Sequence, residues 1–169
     1  MRKTKIFALF LFVAILSACN NSSNDASESD DTTNKMSHDS HGQVNVSSVP
    51  ELPAIPEGAR VYFKNLKNNQ VVSSPFTVEM GVDVIKIDTA GPVVSGSGHH
   101  HMFINAEDSL TAGTVVPTDS SHIHFGRGQT EYELKLTPGT YKLTLQFADG
   151  LHRSYGNKLS NTITVNVKE

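Results

Sequence analysis

Apolar and polar residues alternate with a period of two in several stretches of this chain, and no stretch carries a sustained apolar period of 3.6 residues. The alternation is clearest from Thr140 to Phe147. Its apolar residues share one face of an extended strand: Tyr141, Leu143, Leu145 and Phe147. The same pattern predicts further strands, which begin near Arg60, Phe76, Tyr132 and Ile163. Turn residues separate these stretches, as in Thr137-Pro138-Gly139, so the pattern predicts an all-β domain.

The predicted domain runs from Gly58 to Glu169, a length that suits one hydrophobic core and is too short for two ordinary domains. About seven short strands in such a length favour an immunoglobulin-like β-sandwich. The chain has no tryptophan and a single cysteine, so it lacks the disulfide and the buried tryptophan of antibody domains. We therefore expect a sandwich of another kind.

The first 18 residues are typical of an export signal. Arg2, Lys3 and Lys5 precede an apolar run that is too short to span a membrane, and small residues follow the run. The sequence Leu-Ser-Ala-Cys, which ends at Cys19, resembles the lipobox of bacterial lipoproteins. The resemblance implies cleavage before Cys19 and lipidation of that cysteine. It predicts a domain held at the cell envelope, facing the periplasm or the exterior; the alternative is a secreted protein with one free thiol.

Residues 19–57 have the composition of a disordered tether. The stretch from Asn21 to Asn34 contains one apolar residue, an alanine, so it cannot bury enough apolar surface to offset the entropy of ordering. Three prolines then stiffen the approach to the domain: Pro50, Pro53 and Pro56. We expect these residues to link the lipid anchor to the folded part.

Histidines supply the candidate chemistry. Five of the eight fall in two predicted strands, Ser97–Ile104 and His122–Phe125, and another follows a turn. The proposed ligands are His99, His101, His122, His124 and His152. Residues two apart in a strand project from one face, so a His-x-His pair can converge on a copper or zinc ion.

The orientation of the first histidine strand is ambiguous. If Phe103 is buried in the core, His99 and His101 share its face. If Met102 and Ile104 face the core, His100 goes with them and the other two point away from it. We favour the second arrangement, because Ile123 and Phe125 then place His122 and His124 on the matching outward face. Further ligands or supporting residues are His100, Met102, Gln129 and Glu131, with Met80 as another thioether if the ion is copper(I).

The histidine motifs carry a family resemblance. Ser97-Gly98-His-His-His, His122-Ile-His-Phe-Gly-x-Gly-Gln-Thr-Glu and Leu136-x-Pro-Gly-Thr together resemble the bacterial domain-of-unknown-function family 4399, over roughly Ala59 to Val167. The resemblance implies an exported domain and supplies no mechanism. A looser similarity links Leu136–His152 to small immunoglobulin-like copper proteins of the periplasm, although Leu151 is inserted before His152.

These observations favour a lipid-anchored metal-binding module, copper first and zinc second, that buffers an ion or exchanges it with a donor or acceptor protein. The alternative is a structural or protein-interaction domain whose histidines serve as hydrogen-bonding posts. We find no catalytic triad, paired carboxylates or phosphate loop, so we expect no enzyme, although a redox metalloenzyme is compatible with His-x-His strands. The net charge of −3 and the absence of a basic patch argue against nucleic-acid binding.

Overall fold

The computed structural model of the chain describes residues 48–169. Within them, nine β-strands and a short 3₁₀ turn at Asn157–Leu159 occur in the following order. The strands are β1 (Arg60–Phe63), β2 (Gln70–Ser73), β3 (Phe76–Asp83), β4 (Lys86–Ile87), β5 (Ser97–Ile104), β6 (His122–His124), β7 (Glu131–Leu134), β8 (Gly139–Ala148) and β9 (Ser160–Lys168). The expected all-β class is confirmed, with two strands more than the seven or so that the sequence suggested.

The predicted export signal, the lipidation site at Cys19 and most of the predicted tether lie outside the described residues. The last part of the predicted tether is described, and it contacts the domain. Leu52 and Ile55 pack against the hydrophobic core. Arg153 donates hydrogen bonds to the backbone carbonyls of Pro50 and Glu51. Core packing in this structure thus begins before Gly58. Residues 48–169 contain no helix with the length and apolar character needed to cross a membrane.

The strands form two sheets, as in a sandwich. The smaller sheet has the order β1-β3-β7, and the larger follows the path β2-β9-β8-β5-β4, with β6 also paired to β5. Neighbouring strands are antiparallel except for the β2–β9 and β4–β5 pairs. The main core contains residues of both sheets, including Val78 and Met80 of β3 and Leu143 and Leu145 of β8.

The period-two alternation predicted the inner faces of the long strands. The four apolar residues of β8 all belong to the main core or pack against it, as do the alternate residues of β9: Ile163, Val165 and Val167. One residue departs from the pattern. Val84 adopts a positive φ of 66° and is 64% exposed, while Ile85 is buried in its place. The strand β3 therefore ends at Asp83, whereas the alternation of apolar residues that begins at Phe76 predicts a face that extends to Val84.

Strand β5 is buried on both faces, and this positions the histidines. Met102 packs in the main core with Leu145 and Phe147 of β8. On the opposite face, Phe103 and Ala148 form a second small cluster with Val116. Val116 belongs to the segment between β5 and β6, residues 105–121, which lies over this outer face. The face that carries His99 and His101 is consequently covered by protein rather than open to water, and both residues are buried.

Candidate metal centre

Strand register brings three predicted ligands together. The favoured orientation is correct: Met102 lies in the main core, so His99 and His101 project from the other face of β5. The antiparallel β5–β6 pairing sets His101 directly opposite His124. Residues directly opposite on one face have Cβ atoms about 4.5–5.5 Å apart, close enough for two imidazoles to meet. We call His99, His101, His124 and His152 the histidine cluster.

Ring nitrogens of His99, His101 and His124 lie close enough together to be ligands of one ion. One ligand nitrogen from each of His99, His101 and His124 lies within 4.8 Å of the other two. The Nε2 atoms of His99 and His101 are 3.1 Å apart, and those of His124 and His152 are also 3.1 Å apart. Tetrahedral zinc–nitrogen bonds of about 2.0–2.1 Å put two ligand nitrogens roughly 3.3 Å apart. The group formed by His99, His101 and His124 can therefore hold a metal ion.

His152 joins the histidine cluster from the turn that follows β8. Its ring centroid lies 4.7 Å from that of His124 and 5.0 Å from that of His99. Its backbone has a positive φ of 65°, which is uncommon for a residue other than glycine. The His152 carbonyl accepts a hydrogen bond from the Val116 backbone N–H, at 2.9 Å. The segment that covers the outer face therefore also holds this histidine in place.

A buried ion pair shapes the His152 turn. Asp149 is fully buried, and its carboxylate accepts hydrogen bonds from the backbone N–H groups of Leu151 and Arg153. The Arg153 guanidinium lies 2.6 Å from the same carboxylate. The negative charge of Asp149 raises the pKa of His99, but that charge is matched by Arg153. The histidine cluster itself contains imidazoles only and no carboxylate.

Burial and mutual repulsion favour the neutral form of three members of the histidine cluster: His99, His101 and His124. Burial first, and the charges of His152 and His124 second, lower the pKa of His99 to about 4, against an opposing effect of Asp149. Burial and the neighbouring histidines lower the pKa of His101 to about 2. The pKa of His124 is also lowered, first by burial and then by His152. Metal ions bind the neutral imidazole, so these shifts leave ligand lone pairs available well below pH 7.

The hydrogen bonding of the histidine cluster does not resemble that of structural histidines. Within the described residues, the ring nitrogens of these four histidines bond only to one another. The buried Nδ1 atoms of His99 and His101 have no protein partner there. A histidine that braces a fold donates to a carbonyl or a carboxylate, because an unsatisfied buried polar atom costs about 1–3 kcal/mol. The described residues therefore supply none of the carbonyl or carboxylate partners that a set of hydrogen-bonding posts would need.

His122 does not belong to the histidine cluster, contrary to the sequence-based expectation. It shares the outer face with His124, but the register sets it opposite Phe103, two positions along the strands from the His101–His124 pair. Its Nδ1 lies 2.8 Å from an Asp119 oxygen and its Nε2 lies 3.1 Å from a Glu107 oxygen. Both ring nitrogens therefore already have carboxylate partners, and neither is free to bind an ion.

The four further residues also lie apart from the histidine cluster. His100 and Met102 project to the core face of β5, where His100 packs edge-on against Phe147. Met80 is likewise a core residue, so neither thioether is available as a ligand. Gln129 accepts a hydrogen bond from the Arg127 backbone N–H. The exposed Glu131 lies in β7, opposite Glu79 of β3 in the strand register. Among the described residues, neither Gln129 nor Glu131 bonds to a histidine.

Three residues near the histidines escaped sequence-based reasoning. Asp119 stands three positions before His122, a local spacing that can indicate a side-chain pair, whereas Glu107 comes close only through the fold. Gly126 follows the His-x-His strand, and only its contact with the His124 ring reveals its importance. In each case the decisive information is a tertiary contact, which strand alternation does not carry.

The fold and the site define an all-β domain with a largely buried histidine cluster able to hold a metal ion. The chain belongs to the family described as a domain of unknown function, DUF4399, whose match spans residues 78–168, more than half of the chain. This match includes all four histidines of the cluster and leaves β1 and β2 outside. No curated protein and no solved structure matches the chain.

Proposed function

We propose that this protein is an extracytoplasmic metal-binding module that holds one copper or zinc ion on His99, His101 and His124, with His152 as a fourth ligand. One observation carries the proposal: the ligand nitrogens of the first three histidines all lie within 4.8 Å of one another. The lowered pKa values support it, because they keep these imidazoles neutral at the pH at which an ion would arrive.

Copper(II) is the first candidate and zinc the second. The four proposed ligands are all imidazoles, a ligand type that suits both ions, and the divalent series places copper above zinc in affinity. Both methionines considered as thioether ligands lie in the main core, which removes the main reason to prefer copper(I).

The surroundings of the histidine cluster favour an exchangeable ion over a permanent structural one. Metal-bound imidazoles usually donate their second ring N–H to a carbonyl or carboxylate, and loss of such a partner weakens binding by about 10–100-fold. The described residues offer no such acceptor to Nδ1 of His99 or His101. His124 is exposed, which gives an ion a route in and out. These features suit buffering or delivery to an acceptor protein.

The test is calorimetric titration of the purified chain with copper(II), copper(I) and zinc. Three substitutions, Cys19→Ser, His38→Ala and His41→Ala, remove the single thiol and the two histidines that precede the domain. We expect about one ion per chain. The double variant His124→Ala/His152→Ala should weaken binding by at least about 100-fold, since loss of a supporting residue alone costs 10–100-fold.

The matched control is His122→Ala, which removes a histidine from the same strand but outside the histidine cluster. It should bind the ion as the parent chain does, because His122 is occupied by Asp119 and Glu107. Circular dichroism checks that each variant is folded. Absence of ion binding by the folded parent, or binding that survives the double variant, would refute the proposal.

We also propose that the domain is anchored in the cell envelope through lipid on Cys19. The support is the order of charged, apolar and small residues before that cysteine, together with its position as the only thiol. Fractionation of cells that express the full chain should place it with membranes, and mass spectrometry should find the mature chain beginning at a lipidated Cys19. Cys19→Ala should abolish both results. An unmodified, released parent chain would contradict the anchor.

A further inference from the structure

Gly126 makes close contact with a proposed ligand. It lies two residues after His124, beyond the end of β6. A Cβ atom added at Gly126 would lie 2.3 Å from both Cε1 and Nε2 of the His124 ring. Real Cβ atoms do not approach another heavy atom this closely, so the ring occupies space that only a glycine at position 126 leaves free.

Space, rather than backbone conformation, accounts for this glycine. Gly128, in the same turn, has a positive φ of 72°, a conformation that favours glycine by itself. Gly126 does not have a positive φ. The two glycines of this turn therefore serve different purposes, and their substitution should have different consequences.

The backbone around Gly126 is held firmly, whereas the His124 ring can move. The Gly126 carbonyl accepts a hydrogen bond from the Ala90 backbone N–H, at 2.9 Å. A Cβ at position 126 would also lie 3.2 Å from the Ala90 Cβ, a second close contact. Gly91, which follows Ala90, donates a backbone hydrogen bond to the Gly150 carbonyl near the His152 turn, also at 2.9 Å. The ring is the end of a flexible, exposed side chain, so a Cβ at position 126 would displace the ring and not the turn.

We infer that Gly126 is a positioning residue of the histidine cluster: it keeps the His124 imidazole beside His101 and His152 without binding the ion itself. This inference rests on the proposed metal-binding function for its effect on affinity. The effect of Gly126 on the position of the His124 ring does not depend on that function, because it arises from packing in the ion-free protein. Substitution of Gly126, which has no ligand atom of its own, should then prevent His124 from acting as a ligand.

The test compares Gly126→Ala with His124→Ala by titration with zinc and copper(II). Gly126→Ala should remain folded and lose about as much affinity as His124→Ala, a fall on the order of 10–100-fold. When both substitutions are combined, the second should cause no further loss, because the ring that the new methyl group displaces is already gone. Unchanged affinity in Gly126→Ala, or losses that add in the double variant, would overturn the inference.

Gly128→Ala serves as the matched control. Its Cβ would make ordinary contacts with Ile87 Cγ2, at 3.4 Å, and with the Asp88 backbone, so it should strain the positive-φ backbone without touching His124. We expect a lower unfolding midpoint and unchanged ion affinity. If Gly126→Ala does not fold, the double variant Gly126→Ala/His124→Ala should recover the fold, since it removes the clashing ring. Failure of both to fold would also overturn the inference.

An ion-independent measurement separates this inference from the proposed function. In the ion-free protein, proton NMR should detect a nuclear Overhauser contact between the His124 and His152 rings, whose Nε2 atoms are 3.1 Å apart. Gly126→Ala should abolish this contact, and Gly128→Ala should preserve it. If the parent chain binds no ion, the proposed function fails, and this contact still decides the role of Gly126. A contact that persists in Gly126→Ala would refute that role.

Discussion

His122 and His101 lie on the same face of the same sheet, in strand pairs that are two positions apart, yet their surroundings shift their pKa values in opposite directions. His122 lies between two carboxylates, and although burial lowers its pKa, the hydrogen bonds and charges of Asp119 and Glu107 raise it overall. His101 lies among other histidines, and burial together with their charges lowers its pKa to about 2. The surroundings of His122 therefore favour its protonated form, and those of His101 favour its neutral form.

The difference shows that the neighbours of a histidine, and not its motif, decide what it does. His122 and His124 form a single His-x-His motif, but only His124 faces the other histidines. The ring of His122 instead packs against Phe103 and reaches the half-exposed acids of the covering segment. Hydrogen bonds of this kind favour a structural role for His122. That role is the alternative that the sequence leaves open for all of the histidines.

Among the changes considered, acidification should have the largest effect on the free energy of unfolding. Burial first, and neighbouring charges second, lower the pKa of His99 and of His100 to about 4. The unfolded chain binds protons at these positions near pH 6.5 and the folded chain does not, so folding stability must fall as the pH drops below 6.5. Each such histidine contributes about 1.4 kcal/mol per pH unit, which suggests a loss of several kcal/mol by pH 4.5.

Urea unfolding of the ion-free protein at pH 7.5, 6.5, 5.5 and 4.5 measures this loss. His122 acts in the opposite direction: its raised pKa adds stability that is fully present below pH 6.5 and disappears as the pH rises through its folded value. It therefore offsets only part of the decline. A free energy of unfolding that stays constant or increases between pH 6.5 and 4.5 would contradict a neutral histidine cluster.

Removal of the carboxylates should turn His122 into a histidine like those of the cluster. In Glu107→Gln/Asp119→Asn the ring remains buried but loses both negative partners, so its pKa should fall below its ordinary value. Proton NMR of the ring protons against pH measures this change directly. Asp108→Asn is the matched control, because Asp108 lies in the same segment but pairs with Lys142. If the pKa of His122 remains raised in the double variant, the carboxylates are not its cause.

Strand alternation predicted which face of the sheet carries the site, but not which histidines come together there. The apolar residues of β5 and β6 identify the core face, and from them the outward direction of His99, His101 and His124 follows. The partner of each residue across the strands depends on register, and the pairing of Phe103 with His122 cannot be inferred from alternation. The covering segment has no alternation at all. Its contacts at Glu107 and Val116 exist only once the chain is folded.

His100 offers the smallest and most selective test, because it belongs to the same run of three histidines but projects into the main core. Within the described residues neither of its ring nitrogens has a hydrogen-bond partner, an arrangement that costs about 1–3 kcal/mol. His100→Leu replaces the ring with an apolar side chain of similar volume, so it should raise the free energy of unfolding by about 1 kcal/mol at pH 7.5. The gain should increase at pH 5, because the variant no longer carries a histidine whose folded pKa is lowered to about 4. Urea unfolding at both pH values measures these gains, and zinc affinity should stay that of the parent chain. A destabilised variant, or one that loses the ion, would mean that His100 serves the site and that the two faces of β5 are less distinct than their packing indicates.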